Sequence, residues 1–299
     1  MFLPIHSRLA LAATAAMLVA VPAQAVQIYG LTTTNALFTF DSASPANGTV
    51  PVAITGLGAG ERILSIDVRP KNNMLYGVSS DSKVYSISAL GVASLAGTLD
   101  SALTGNAVGI DFNPVADMGT GASLRVVSST GQNYGFNVST GVNNTGEGAI
   151  AAGFASVAYA NNDLNSATGT ALYYIDTTSD TLKVAASNFN NIGTPISITT
   201  IGALGVNANG ISGFDIFGAS TGFAAFTDAD TGKSSLYSID LTSGAATSLG
   251  TFGILGDSVI APPILGLTVT AVPEPGTYAM LLAGLAAVGT LVKRRRGQG

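Results

Sequence analysis

The sequence of 299 residues predicts an all-β, β-propeller-like domain of about five four-stranded blades, followed by a C-terminal transmembrane helix. Three observations support this fold class. Short segments rich in β-branched and aromatic residues recur along the chain, Gly, Asn, Asp and Ser separate them, and the middle of the chain lacks a sustained helical period. Four strands in roughly every 50 residues is the spacing of propeller blades.

The first 25 residues predict a signal peptide. Arg8 supplies a positive charge, and Leu9–Val21 forms a short apolar region. Ala23 and Ala25 are the small residues that signal peptidase requires next to its cleavage site. We therefore expect residues 26–271 to form an exported domain.

One strand-like segment recurs five times within this domain. The five copies begin 45, 48, 55 and 53 residues apart and are Ile63–Val68, Val108–Phe112, Ser156–Tyr159, Ile211–Ile216 and Ile264–Val269. Further strand-like segments follow each of the first four copies, which gives four blades. Because the fifth copy has no strands after it, we expect it to pair with the strands at the N-terminal end of the domain and so to close the ring. An open β-sandwich and a six-bladed ring are the alternatives, since the repeats are degenerate.

Charge and composition exclude several classes of function. From Val26 to Val272 the chain has seven basic and sixteen acidic residues, a net charge of −9. Nucleic acid is therefore not an expected partner, because phosphate binding needs clustered Lys and Arg. The sequence has no cysteine, and its single histidine, His6, lies in the signal peptide. The domain thus lacks the residues for Ser-His-Asp catalysis, Cys-His catalysis and the usual zinc sites.

Three aspartates occupy equivalent positions in the predicted inner strands, namely Asp67, Asp111 and Asp215. The symmetry of a propeller brings such positions towards one axis. Three carboxylates repel one another unless a hard cation such as calcium lies among them, so we expect calcium as the one possible cofactor. The alternative is that each aspartate accepts hydrogen bonds from backbone N–H groups of its own blade turn.

A more distinctive stretch lies in the third predicted blade. It reads GIDFNPVAD over Gly109–Asp117 and LRVVSSTGQN over Leu124–Asn133. This stretch resembles the bacterial family called domain of unknown function 4394, and the resemblance covers about residues 28 to 269. It implies a propeller-like β fold but no established activity. Met118–Ser123 interrupts the family pattern, and the arginine expected directly after Asp117 is absent.

Four polar side chains of this stretch are our candidates for ligand binding: Asn113, Arg125, Gln132 and Asn133. They predict a polar cluster in the third blade. Local capping of turns is the alternative for each of them.

The chain ends in residues 272–299, which combine three features in order. A rigid step of Pro273, Glu274 and Pro275 comes first. The apolar run Thr277–Val292 follows, and as a helix its 16 residues span about 24 Å. A basic cluster comes last and contains Lys293, Arg294, Arg295 and Arg296. The positive-inside rule holds this cluster in the cytoplasm, which places the preceding domain on the far side of the inner membrane.

This tail resembles the PEP-CTERM sorting signal of exopolysaccharide-producing Gram-negative bacteria. The resemblance implies transient anchoring in the inner membrane, cleavage by an exosortase, and export to the cell surface or the surrounding matrix. A plain membrane anchor is the alternative.

The predicted function is therefore that of an exported, exosortase-sorted surface or extracellular-matrix protein with a non-catalytic binding or structural propeller. Expected partners are signal peptidase, the exosortase, and an exopolysaccharide or surface proteins of the biofilm. The alternative is a calcium-dependent propeller hydrolase or lyase that uses Asp and Asn residues.

Overall fold

The β-branched and aromatic segments of the sequence form antiparallel strands, and glycine- or asparagine-containing turns join most of them. For example, Asn73 occupies the left-handed region with φ of 51° in the turn between two neighbouring strands. The computed structural model of the chain describes residues 25–121, 123–144, 149–186, 197–208, 212–228, 231–255 and 261–270.

Within these ranges the chain forms twenty strands, one single-turn 3-10 helix and one short α-helix. In chain order they are β1 (Gln27–Thr32), β2 (Ala36–Asp41), the 3-10 helix (Pro45–Asn47), β3 (Val52–Ala53), β4 (Ile63–Arg69), β5 (Met74–Ser79), β6 (Lys83–Ile87), β7 (Ala93–Thr98), β8 (Val108–Phe112), α1 (Pro114–Asp117), β9 (Leu124–Ser128), β10 (Asn133–Asn137), β11 (Val142–Asn144), β12 (Phe154–Tyr159), β13 (Leu172–Asp176), β14 (Thr181–Ala185), β15 (Ile198–Ala203), β16 (Ser212–Phe217), β17 (Thr221–Thr227), β18 (Ser234–Asp240), β19 (Ala246–Thr251) and β20 (Ile264–Val269).

The strands form five four-stranded antiparallel blades. Four blades are consecutive in sequence, from β4–β7 to β16–β19, and the fifth has the order β20-β1-β2-β3. In this shared blade Ile28 pairs with Val269 and Gly30 pairs with Leu267. The predicted five-bladed ring, closed by strands from both ends of the domain, is therefore confirmed, and the sandwich and the six-bladed ring are not found.

The first strand of each blade in space lies at the axis of the ring. These inner strands are β4, β8, β12, β16 and β20, and each contacts the next around a closed circle. Their backbones approach closely because small residues occupy the contact positions. A Cβ atom on Gly213 would lie 2.4 Å from the backbone nitrogen of Leu267, so only glycine fits there.

The small residues also leave very little space on the axis. Ser65, Gly109, Ser156 and Gly213 help to enclose an axial cavity of about 10 Å³, which is room for one water molecule at most. At this level the ring is thus a packed core rather than an open channel.

Hydrophobic side chains fill the spaces between adjacent blades. Phe38, Phe40 and Phe252 form a buried aromatic cluster where the last blade meets the shared one. Tyr76 and Phe112 pack edge to face, with ring centroids 5.2 Å apart, between the blades that contain them. Full burial of such a side chain contributes about 1.5–3 kcal/mol, so these contacts hold the blades in the ring.

No helix in the described part of the chain is long and apolar enough to cross a membrane. The predicted transmembrane helix and the sorting residues Pro273, Glu274, Pro275 and Arg294–Arg296 fall in 271–299, outside the described residues. Ala23 of the predicted cleavage site also lies outside them, and Ala25 is the first residue described.

Candidate functional site

Three buried carboxylates converge at the axis of the ring. One carboxylate oxygen from each of Asp67, Asp111 and Asp215 lies within 4.8 Å of the other two. The residues are only 1–4% exposed to solvent. They come from β4, β8 and β16, and their meeting follows from the equivalence of inner-strand positions. We refer to these three side chains as the aspartate cluster.

Each of these carboxylates accepts a hydrogen bond from a backbone N–H group of the next blade around the ring. The bonds run from Phe112 N to Asp67 Oδ2 at 2.8 Å, from Tyr159 N to Asp111 Oδ1 at 3.2 Å, and from Val269 N to Asp215 Oδ2 at 2.7 Å. An inner strand has no further strand beside its axial edge, so its N–H groups there need another acceptor. The carboxylates provide this acceptor. They join neighbouring blades, whereas the alternative from the sequence was that each would bond a turn of its own blade.

The remaining two inner strands carry Ala158 and Thr268 at the equivalent position. Thr268 Oγ1 accepts a hydrogen bond from Val68 N at 3.1 Å and donates one to Asp67 Oδ1 at 2.8 Å. Ala158 has no acceptor, and the N–H of Ile216 that it would face donates to Asp215 Oδ1 at 2.6 Å instead. The belt of inter-blade bonds is therefore complete except beside Ala158.

The buried position raises the pKa of every carboxyl in the aspartate cluster. Burial, then the charge of Asp215, raises the pKa of Asp67 well above its usual value. Burial, the charges of the other two and a hydrogen bond with Asp215 do the same to the pKa of Asp111. Burial raises the pKa of Asp215 from 3.8 to about 6, although two backbone N–H groups oppose the rise. Such a cluster favours a bound proton or a bound cation.

The donor set of the cluster fits a hard cation. Three carboxylates and the hydroxyl of Thr268 are oxygen ligands of the kind that Ca²⁺ prefers. Each carboxylate oxygen keeps a second lone pair after it accepts an N–H group. Asp67, Asp111 and Asp215 are therefore the residues that would hold calcium, whose binding stays a prediction.

A larger cavity opens on the face of the ring where the inner strands end. Its volume is about 670 Å³, and Val68, Phe217 and Val269 line it immediately beyond the level of the aspartate cluster. Asn161 and Asn162, from the loop after β12, also line it. Among the residues that line this cavity, Asp163 carries the one formal charge. We call it the axial-face cavity.

Asn162 connects this cavity with the aspartate cluster. Its Nδ2 donates to the carbonyl oxygen of Ile216 at 3.0 Å, and its side-chain amide helps to lower the pKa of the Asp215 carboxyl against the effect of burial. The neighbouring Asn161 has φ of 58°, and its backbone N–H donates to Gly218 O at 2.7 Å. These bonds fix the loop after β12 against the turn between β16 and β17, so the rim of the cavity is ordered in advance.

The protein family is decided by a match along most of the chain. Residues 23–261 match the family described as domain of unknown function DUF4394. The chain belongs to the DUF4394 family. Residues 271–296 match the PEP-CTERM protein-sorting motif, which indicates export and exosortase-dependent sorting. No curated protein matches the chain.

Several solved structures are similar to this DUF4394 chain. One is a nidogen/laminin complex, with 12% identity, a TM-score of 0.49, and coverage of 82% of this chain and 98% of that one. Another is a protein of unknown function from Bacteroides thetaiotaomicron, with 12% identity, a TM-score of 0.45, and coverage of 67% and 53%. A third is a protein from Lactobacillus plantarum, with 17% identity, a TM-score of 0.38, and coverage of 82% and 71%.

Two of the four predicted ligand-binding residues of the DUF4394 domain lie together. Arg125 Nη1 donates to Asn133 Oδ1 at 2.5 Å, and Arg125 Nε donates to Tyr159 Oη at 2.6 Å. All three residues are buried. Because Tyr159 belongs to the next blade, this cluster joins the third and fourth blades in the interior.

The other two candidates hold local structure. Asn113 Oδ1 accepts the N–H groups of Val115 and Ala116, each at 3.0 Å, and so caps α1. Gln132 fixes the loop before β8 by donating to Ala102 O at 2.8 Å and accepting from the backbone of that loop. A role of these four residues in binding stays a prediction.

Sequence analysis missed a buried ion pair beside α1. Asp117, which lacks the arginine expected after it, pairs instead with Arg69 of the second blade, with Nε to Oδ1 at 2.7 Å. Ser123 Oγ and the backbone N–H of Lys71 also donate to its carboxylate. The pair was not recognisable in sequence, because its members are 48 residues apart and meet only when the blades assemble.

Glu61 is a second buried acid that sequence analysis did not single out. Its carboxylate accepts hydrogen bonds from Ser79, Tyr85, Lys83 and the backbone N–H of Gly58 at 2.5–3.0 Å. Burial alone would raise the pKa of Glu61, but these four donors outweigh it and lower the pKa from 4.5 to about 2. Glu61 therefore ties the glycine-rich loop before β4 to its blade.

Proposed function

We propose that the propeller is the non-catalytic binding domain of an exported surface or matrix protein, and that its ligand occupies the axial-face cavity. The observation that carries this proposal is the cavity itself. Its volume of about 670 Å³ lies in the usual range of ligand sites, which is about 300–1,000 Å³. It lies where several inner strands end at the axis, so residues of different blades line it together.

The chemistry of the lining favours a neutral ligand with many hydroxyl groups. Within the described residues, the side-chain amide of Asn73 and the Oδ1 atom of Asn161 have no hydrogen-bonding partner, although both residues line the cavity. Apolar surface from Val68 and Phe217 lies beside these amides. A polysaccharide offers hydroxyl donors and apolar C–H faces together, so an exopolysaccharide is the proposed ligand.

Isothermal titration of residues 26–271 with the exopolysaccharide of the host tests this proposal. Asn73→Gly removes an exposed amide that has no partner in the fold and suits the left-handed backbone at this position, so it should weaken binding by about tenfold with little loss of stability. Thr178→Ala, on the opposite face of the ring, is the matched control and should bind normally. Absence of binding by the unmodified domain would contradict the proposal.

A calcium-dependent hydrolase or lyase is the second candidate, and the aspartate cluster favours it. In this mechanism Asp67, Asp111 and Asp215 hold the cation, and Asn162 lies between them and a substrate in the axial-face cavity. Bound calcium would supply Lewis acidity and neutralise the carboxylates. A cation that binds only the folded state raises the melting temperature, so identical melting in calcium and in EDTA would exclude this candidate.

We also propose the course of export. Signal peptidase cleaves after Ala25, the tail of residues 272–299 holds the domain at the inner membrane, and the exosortase then cleaves next to Pro273–Pro275. Mass spectrometry of the mature protein tests this course. A C-terminus that still contains Arg294–Arg296 on the exported protein would contradict it.

A further inference from the structure

We infer that the axial-face cavity is turned towards the membrane as long as the sorting tail is attached, so that cleavage of the tail opens the cavity to a polymeric ligand. The inference rests on the proposed ligand site in this cavity. It concerns an interaction surface, namely the face of the ring that contains the cavity, and the partner of that surface is a lipid bilayer.

The position at which the chain leaves the ring carries the inference. Val269 is the last residue of β20 and lines the axial-face cavity. Thr270 follows it, and its backbone N–H and hydroxyl both donate to Gln27 O, at 3.0 and 3.1 Å. Because β20 is an inner strand, the tail begins beside the axis and next to the cavity, rather than at the outer rim of the ring.

The segment between the ring and the apolar run is short. The sequence has six residues between Thr270 and Thr277, so the two residues are at most ~25 Å apart, at ~3.5 Å per residue in an extended chain. Pro273 and Pro275 restrict this segment further, because their φ angles are fixed. The polar headgroup layer takes up about 5–7 Å of that reach on each side of a bilayer.

A central and short attachment has a geometric consequence. The face that contains the cavity is held within about 20 Å of the lipid surface, while the opposite face points away from it. Small molecules enter such a gap freely, whereas a bulky polymer coil or a folded protein is hindered. Removal of the tail separates the domain from the membrane and exposes the cavity.

The opposite face supplies an internal reference. There a second cavity of about 410 Å³ is lined by Ala107, just before β8, and by Thr178, just after β13. Thr178 is exposed, as is Ala219 at the rim of the axial-face cavity. These two positions therefore report the accessibility of the two faces of one molecule.

The test uses the absence of cysteine from the sequence. Full-length chains with Ala219→Cys or Thr178→Cys are reconstituted through their uncleaved tails into liposomes, with the domain outside. Each is labelled with a small maleimide and with a maleimide that carries a long polyethylene glycol chain. A second version of each chain has a long Gly/Ser segment inserted between Thr270 and Pro273, which keeps the anchor and releases the ring from the surface.

We expect the small reagent to label both positions at the same rate. The large reagent should label Ala219→Cys about tenfold more slowly than Thr178→Cys, and the inserted segment should remove this difference. Equal labelling by the large reagent, protection of both positions, or protection that survives the insertion would each overturn the inference. A failure of the detached domain to bind exopolysaccharide would count against the proposed ligand and would leave this result untouched.

Discussion

Replacement of Asp215 by asparagine should stabilise the metal-free protein at pH 7.5. The pKa of Asp215 rises from 3.8 to about 6 in the folded state. This difference corresponds to ~3 kcal/mol of stability that is lost when the group ionises, at about 1.4 kcal/mol per pKa unit. Asparagine keeps one acceptor for Val269 N but loses the second one for Ile216 N, which costs about 1–2 kcal/mol because this buried donor is left without a partner. The expected net gain is about 1–2 kcal/mol.

The sign of the pH dependence distinguishes this explanation from a simple packing effect. Between pH 4 and 6 the folded state binds more protons at Asp215 than the unfolded chain does, so this group lowers stability as the pH rises. The advantage of Asp215→Asn should therefore be present at pH 7.5 and absent near pH 4. Asp100→Asn, at an exposed position, is the matched control and should show little change at either pH.

Urea unfolding in EDTA at the two pH values measures this difference. A gain of 1 kcal/mol also raises the melting temperature by about 2–4 °C in a domain of this size. If the variant is less stable than the unmodified protein at pH 7.5, or if the difference between them is the same at both pH values, the electrostatic account of the aspartate cluster is wrong. If calcium occupies the cluster, added calcium should stabilise the unmodified protein and reverse the order.

Three further predictions concern the contacts that hold the ring together. Because the pKa of Glu61 is lowered to about 2, its contribution to the free energy of unfolding should be complete above pH 4.5 and disappear as the pH falls towards 2. After allowance for solvent screening we expect about 1–3 kcal/mol, measured as the loss of this pH dependence in Glu61→Gln. Gly213→Ala should cost at least ~3 kcal/mol of stability or prevent folding, because its Cβ would overlap the neighbouring inner strand. Gly121→Ala, with open space around it, should melt almost normally, and equal melting of the two variants would refute the close approach. Arg69→Met should destabilise the fold by about 3–5 kcal/mol in chemical denaturation, because it leaves the buried carboxylate of Asp117 without its cation. The double variant Arg69→Met with Asp117→Leu should recover much of this stability, and a single variant as stable as the unmodified protein would contradict the assignment.

The sequence was most informative where a pattern repeats. The five inner strands could be recognised because each is a local run of apolar residues. The fifth copy has no strands after it, and this was enough to predict that the two ends of the domain close the ring. The same equivalence predicted that Asp67, Asp111 and Asp215 meet at the axis. Arg125 and Asn133 also meet, since they lie on the paired strands β9 and β10.

The contacts that cross between blades could not be predicted. The direction of the carboxylate hydrogen bonds depends on how the inner strands lie beside one another in the ring, and no local pattern encodes this. The same holds for Arg69 with Asp117, whose partnership depends on two blades at once. The axial-face cavity is likewise built from loops that follow the inner strands of three different blades and from the end of β20.

The shared blade also determines when folding can finish. Ile28 pairs with Val269, which is synthesised 241 residues later, so the ring cannot close until almost the whole domain has been made. Contacts so distant in sequence form slowly, which in the proposed course of export would keep the polypeptide unfolded during translocation. In the course of export proposed above, the last strand would cross the bilayer just ahead of the apolar run, so completion of the ring would coincide with arrival at the membrane surface.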